Sequence, residues 1–382
     1  VSLLPLILGM LAAFAPLAID MYLPALPAMA ADLGSDSGGA QLTIASYFVG
    51  MGLGQLIYGP LTDRFGRRPP LFVGVGLFLL TSLACALAQT MPQMIALRLL
   101  QALGGCAGMV VARAVVRDVA HLRDPVRLMG RLMLIMGVAP ILAPFLGGVL
   151  SGWLGWRSIF VFLALFAGTA LLLVALLLPE THAPERRLRQ NPWEIIQAYL
   201  GLLRDGRFLR PALASGFAIA GMFAYIAGSP MVFMEVHGVA LAEYGIWFGI
   251  NAAGIIGGSQ VSGWLAERWG REVLFTRVLR AMAVAALALV VATLLGGGFA
   301  MIFLCLFVFI TMLGVVMPLG TVLGMAHFAA MAGTASALLG TLQFGLGGVA
   351  GAVLGLWHDA SGLPMAAVIL GCILLANLAW RR

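Results

Sequence analysis

Apolar runs of about 20 residues recur from one end of this 382-residue chain to the other. That is the length an α-helix needs to cross the roughly 30 Å hydrocarbon core of a bilayer. No water reaches backbone N–H and C=O groups there, so only helices or a closed barrel can span it. Barrel strands alternate apolar and polar residues over about ten positions, and these runs are continuously apolar, which excludes a barrel. Composition points the same way: 62% of the residues are hydrophobic and 10% are charged, against roughly a quarter charged in soluble domains. The chain reads as an all-α membrane protein that crosses the bilayer many times.

Counting the runs predicts twelve spans, approximately 3–28, 40–60, 70–89, 93–114, 127–152, 157–179, 210–235, 243–265, 273–294, 298–323, 332–356 and 363–380. The first is too long for a cleavable signal peptide and ends in Pro24 and Pro27 rather than a small-residue cleavage site. The net charge of +7 comes from arginine, because there is no lysine. The arginines gather in alternate loops: Arg64, Arg67 and Arg68; Arg117, Arg123 and Arg127; Arg186, Arg187, Arg189, Arg204 and Arg207; Arg268 and Arg271; Arg381 and Arg382. The other loops carry Arg157 beside Asp32, Asp36, Glu235, Glu243 and Asp359. This is the positive-inside pattern; it puts both termini in the cytoplasm and removes the nucleic-acid reading that net charge alone suggests. Cys85, Cys106, Cys305 and Cys372 lie singly in apolar segments with no metal-binding spacing.

The longest polar stretch, 180–207, separates six spans from six and predicts halves at 1–179 and 210–382 joined by a cytoplasmic linker at 180–209. Within it, Trp193 to Leu203 suits a short helix on the inner surface. A six-plus-six count invites a search for an internal repeat, and one is present. Gly59-Pro60-Leu61-Thr62-Asp63-Arg64-Phe65-Gly66-Arg67 and Gly263-Trp264-Leu265-Ala266-Glu267-Arg268-Trp269-Gly270-Arg271 share the pattern G-x-L-x-acid-R-x-G-R, each in the loop after the second span of its half. A carboxylate at a helix end beside several arginines can form ion pairs, for instance with Asp118 at the end of the fourth span. Such pairs would latch the cytoplasmic side in one state and break in the other; the plainer reading is a tight turn with topogenic charge. Duplicated halves also place a transport site at their interface near mid-membrane.

Asp20 is the costliest residue of the first span, since a carboxylate at a membrane-helix centre costs roughly 2.5–3.5 kcal/mol. It lies roughly 10 Å inside the outer helix end at about 1.5 Å per residue. Arg98 sits roughly 9 Å below the same surface on the fourth span, with Gln101 one turn on. Each charge lowers the other's burial cost, and a carboxyl under competing desolvation and guanidinium influence can exchange a proton as the site opens to either side. The plainer reading is a fixed ion pair. The fifth span carries Pro140 and Pro144 among small residues, which kink the helix and permit close contact. Between the halves the sequence predicts an apolar, aromatic cavity suited to drug-sized ligands, with Tyr22, Tyr47, Gln101, Met136, Pro140, Pro144, Tyr225, Phe233, Asn251 and Gln343 as candidate lining.

Taken together, these segments resemble the major facilitator superfamily. The loops at 59–68 and 263–271 resemble its cytoplasmic loop signature, Arg98-x-x-Gln101 with Gly104 is similar to its fourth-helix signature, and Ala143-Pro144-x-x-Gly147-Gly148 to the fifth-helix antiporter signature. Asp20-Met21-Tyr22-Leu23-Pro24-Ala25-Leu26-Pro27, with Arg113-x-x-x-Arg117-Asp118 and Leu178-Pro179-Glu180-Thr181, resembles the Bcr/CflA (bicyclomycin and chloramphenicol resistance) drug–proton antiporters. The resemblance implies a monomeric exporter of the bacterial inner membrane, with no cofactor and protons as coupling ion, that trades a proton for a drug-like molecule by alternating access. It further implies Asp20 as proton carrier and Arg98 as its partner. Two departures stand out: Ala139 and Ala143 occupy glycine positions of the antiporter signature, and Ala12 stands where some related exporters carry a second carboxylate. An exporter of a physiological metabolite such as an amino acid or sugar is the alternative. No HExxH, paired carboxylate or Ser/His/Asp arrangement suggests an enzyme.

Overall fold

A computed structural model describes residues 4–118, 125–182, 191–328, 331–357, 359 and 361–381, and the side chains of all these except 117, 125–137 and 192. Met136 and Arg117, Arg123, Arg127, Arg186, Arg187, Arg189 and Arg382 therefore lie outside the described side chains. All described secondary structure is helical. Six helices precede the linker: α1 (Leu4–Asp32), α2 (Ser37–Phe65), α3 (Arg68–Ala86), α4 (Met91–Asp118), α5 (Pro125–Leu154) and α6 (Arg157–Leu177). Six follow it: α7 (Gly206–Val236), α8 (Leu241–Trp269), α9 (Arg271–Leu294), α10 (Phe299–Met325), α11 (Ala332–Leu356) and α12 (Leu363–Trp380). Ten of these are long and apolar enough to cross a membrane. Helices α5 and α8 fill the other two places of the expected twelve. In α8, glycine, serine and the charges at its ends dilute the hydropathy of a full-length helix.

Two helices are interrupted, and they hold the same place in each half. The α-helical part of α1 ends at Asp20, passes through a 3₁₀ turn at Leu23–Ala25 and resumes at Leu26. Pro24 and Pro27 supply the reason, since each removes a backbone donor. Asp20 thus sits at the end of a helical segment inside the bundle rather than along an unbroken helix. In α7, a wider π turn at Met231–Val236 follows Pro230.

Close contacts between glycines join the halves. Down α2, Gly38, Ala45, Gly52 and Gly59 recur every seventh residue and meet Gly355, Gly351 and Gly348, Gly345, and Ala337 on antiparallel α11. A side chain at Gly38 would strike the Gly355 carbonyl, and one at Gly348 would strike Val49 and the Ala45 carbonyl. The Thr341 hydroxyl lies 3.0 Å from the Gly52 carbonyl across this seam. A second seam brings Gly245 and Gly249 of α8 onto Phe145 and Ile141 of α5. Small residues on both sides let the backbones approach, which is how helices pack where lipid and side chains are equally apolar.

The linker holds the expected surface helix, Pro192–Arg204, started by a capping box in which Asn191 and Glu194 satisfy each other's backbone donors. Leu202 is buried against Phe208, Ala335 and Leu338, while Trp193, Ile196 and Leu200 are exposed.

Candidate functional site

Glycines wedge α4 into the first half: Gly104 lies on the α3 backbone at Phe78, Gly108 on the α1 carbonyl of Leu11, and Gly50 of α2 on the α4 carbonyl of Leu99. The packing puts Arg98 at the junction of three helices with no solvent exposure. Its Nη2 donates to the Ala18 carbonyl at 2.8 Å, in the last turn of the broken α1 segment. Its Nη1 donates to Gln101 Oε1, one turn along the same face of α4. Gln101 Nε2 donates in turn to Ser82 Oγ at 2.7 Å, and Ser82 to the Phe78 carbonyl at 2.6 Å. The guanidinium carbon lies 4.3 Å from the centre of the Tyr22 ring and 4.2 Å from that of Tyr47, so two ring faces share the charge. Tyr22 is itself fixed through its hydroxyl, 3.1 Å from Thr43 Oγ1.

Asp20 is 4% exposed and is the one buried carboxyl among the described residues. The fixed ion pair that the sequence allows is not the arrangement found. Arg98 grips α1 through a backbone carbonyl two residues before Asp20, and no hydrogen bond or salt bridge to the carboxyl is present among the described residues. Instead the carboxyl lies within electrostatic reach of the hydroxyls of Tyr47 in its own half and of Tyr225 and Tyr244 in the other.

Those two second-half tyrosines belong to a polar pair each. Asn251 Nδ2 donates to the Tyr225 hydroxyl at 2.9 Å, and Ser229 Oγ lies 2.8 Å from the Tyr244 hydroxyl. Tyr225 stacks on Phe248, and Phe233 packs between Tyr225, Tyr244 and Phe299. Asn251 Oδ1 is buried with no partner. Of the other candidates, Pro144 is buried within α5, while Pro140 and Gln343 are half-buried.

A cavity of about 400 Å³ opens at the arginine-rich end, lined from α2, α4, α10, α11 and the linker helix by residues including Gln55, Gly59, Thr62, Asp63, Arg113, Tyr199 and Met325. None of the nine candidates whose side chains are described borders it. They surround Arg98 and Asp20 or pack between helices, while this cavity draws on residues whose approach depends on the linker and α11. Burial, with Asp63 adding to it, pushes the Tyr199 hydroxyl up to about 12, so this wall residue stays neutral.

The loop after α2 is tied down by residues from three places in the chain. Arg67 Nη1 pairs with Asp63 at 2.7 Å, and its Nε and Nη2 fork onto Asp118 at 2.8 and 3.2 Å. Burial opposes the Arg67 charge, but the bonds to Asp118 and Asp63 outweigh it and hold its pKa above the ordinary arginine value. The Glu180 carboxylate accepts from the backbone N–H of Arg67 at 2.9 Å and of Arg68 at 3.1 Å, and Thr181 donates to Asp118 at 3.0 Å. Glu180 and Thr181 are the members that the sequence reading noted only within a motif. Arg64, counted with the latch, is exposed and lies over Phe65. The second copy is different: Glu267, Arg268 and Arg271 are exposed and make no ion pair among the described residues, and Arg268 only lies over Trp264.

Residues 8–380 match the model of the Major Facilitator Superfamily. The chain belongs to the major facilitator superfamily. This membership makes it a transporter rather than an enzyme. An MFS-type transporter of Bacillus subtilis, YdgK, is 36% identical, with 99% of this chain and 94% of that protein covered. A bicyclomycin resistance protein homolog of Haemophilus influenzae is 28% identical over 98% of this chain and 94% of its own. A chloramphenicol resistance protein of Pseudomonas aeruginosa is 32% identical over 67% of this chain and 60% of its own. These relatives agree with the Bcr/CflA resemblance read from the sequence. Among solved structures, a D-xylose–proton symporter matches with a TM-score of 0.75 at 17% identity, covering 99% of this chain and 96% of its own; it shows the shared superfamily fold.

Proposed function

We propose that this MFS transporter is a proton-coupled exporter of drug-like molecules in the bacterial inner membrane, acting as a monomer by alternating access. In this reading the arginine-rich end and both termini are cytoplasmic, following the positive-inside rule. The observation that carries it is Asp20. It is the one buried carboxyl among the described residues, set at a helix break and within electrostatic reach of tyrosines of the opposite half. A carboxyl in that position changes surroundings whenever the halves rock, so its proton affinity follows the conformational state. Open to the outside, Asp20 takes up a proton; open to the cytoplasm, it gives the proton up as cargo binds. Arg98 keeps α1 and α4 in register during this cycle, and its charge, spread over Tyr22 and Tyr47, favours the carboxylate when the proton leaves. The glycine seams α2/α11 and α5/α8 provide smooth surfaces for the movement. The names of the Haemophilus and Pseudomonas relatives support bicyclomycin- and chloramphenicol-type compounds as cargo.

Inside-out membrane vesicles with an acidic lumen test this. Wild type should accumulate labelled chloramphenicol, a protonophore should abolish the accumulation, and Asp20→Asn should only equilibrate. Accumulation by Asp20→Asn equal to wild type would move the proton site elsewhere. No accumulation by folded wild type, across a panel including bicyclomycin, would remove the drug-export reading.

A further inference from the structure

Helix α4 carries a second inward arginine, and nothing in the cycle above uses it. Arg113 follows Arg98 by 15 residues, which is about 22 Å along the helix and about 60° around it. The two have opposite surroundings. Arg98 has Gln101, the Ala18 carbonyl and two ring faces. Arg113 has no hydrogen bond, ion pair or ring contact among the described residues, although it is half-buried in the wall of the 400 Å³ cavity at the arginine-rich end. Asp63, a carboxylate of the same wall, is already bonded to Arg67 at 2.7 Å. A half-buried guanidinium without an anion is costly. The expense is recovered when something negative arrives. The remaining wall matches an organic ligand rather than a bare ion: Val110, Tyr199 and Met325 offer apolar surface beside Thr62 and Gln55, and the volume falls in the roughly 300–1,000 Å³ range of small-molecule sites.

We propose that Arg113 forms an anion subsite at the cytoplasmic mouth, where drug-sized organic anions with an apolar body, carboxylates above all, make their first contact. The subsite deepens the exporter reading and rests on it for the cytoplasmic placement and the role of the cavity. It selects cargo by charge before cargo reaches the level of Asp20. A planar guanidinium suits a carboxylate because it can offer two parallel N–H donors. Lysine at 113 would keep the charge and lose the fork.

The probes are chloramphenicol hemisuccinate, an anion, and neutral chloramphenicol, titrated onto purified protein in phosphatidylcholine nanodiscs. Wild type should bind the hemisuccinate roughly tenfold or more tightly than Arg113→Gln does, as expected for a lost charge-assisted hydrogen bond. Chloramphenicol binding should differ by less than about twofold between them, within the spread of a contact not made. Arg113→Lys should keep a weakened anion preference, and Arg113→Gln should melt no lower than wild type, because it removes a charge with no partner among the described residues. Equal hemisuccinate affinity in wild type and Arg113→Gln, or no hemisuccinate binding to wild type, would overturn the subsite. If phosphatidylglycerol nanodiscs abolish hemisuccinate binding, the anion held is a lipid headgroup and the cargo assignment falls. Proton release on chloramphenicol addition, measured on the same preparations, reports separately on the exporter reading. Its absence would remove that reading whatever the anion result.

Discussion

In the first half Asp20, Arg67 and Arg98 are buried and Arg113 faces a cavity; between 206 and 381 every described Asp, Glu and Arg side chain is exposed. Yet the halves repeat one backbone plan. Helices α2 and α8 are both 29 residues long and end in the same loop pattern. Gly66 and Gly270 stop them at φ +91° and +80°, a region that only glycine enters without strain. Duplication has kept the turn and not the chemistry around it. Arg67 finds Asp118 at the end of α4 and is braced by Glu180 after α6, whereas the corresponding end of α10, Gly324-Met325-Ala326, offers Arg271 no carboxylate. The second half contributes hydroxyls, an amide and glycine surfaces against which the charged half can move.

Substitutions in matched positions break or sharpen this contrast. The largest effect belongs to Asp20→Asn, which should reduce proton-driven accumulation to the level of vesicles lacking the protein, although no charge is lost from the second half to match it. Arg98→Ala should come next. It leaves Gln101 Oε1 and the Ala18 carbonyl without their donor, at about 2–5 kcal/mol for two buried polar groups, visible as a lowered melting temperature in detergent. Gly66→Ala and Gly270→Ala should then cost a similar amount as each other, about 1–3 kcal/mol for forcing a side chain into that backbone region. Very unequal losses would mean that the shared turn is not the conserved device. Arg67→Ala should cost about 1–3 kcal/mol through its charge-assisted bonds. Arg271→Ala, an exposed charge without a pair among the described residues, should stay within about 0.5 kcal/mol. Equal costs for these last two would show that the loop network does not distinguish the halves.

Much of this was legible in the residues. Apolar run length yields the twelve helices, and two opposite charges at one depth lead to Asp20 and Arg98, both of which the structure buries. Run length is weakest for α8, because a helix that packs glycine against α5 needs little hydropathy of its own. The arrangement around Arg98 was not legible. Tyr22, Tyr47 and the Ala18 carbonyl come from α1 and α2, and only packing decides that Arg98 holds the backbone beside Asp20 and not the carboxyl. The role of Glu180 depends on a contact spanning 113 residues. Arg113 stood in a recognised motif, but its lack of a partner among the described residues appears only once α10, α11 and the linker helix close the cavity wall around it.

The central claim is that cargo and proton compete through Asp20. Purified protein in weakly buffered detergent solution, monitored with a pH indicator while chloramphenicol is added, tests it most directly. The account predicts that wild type releases protons on drug addition and that Asp20→Asn, still folded and still binding the drug, releases none. Equal release from both would contradict it.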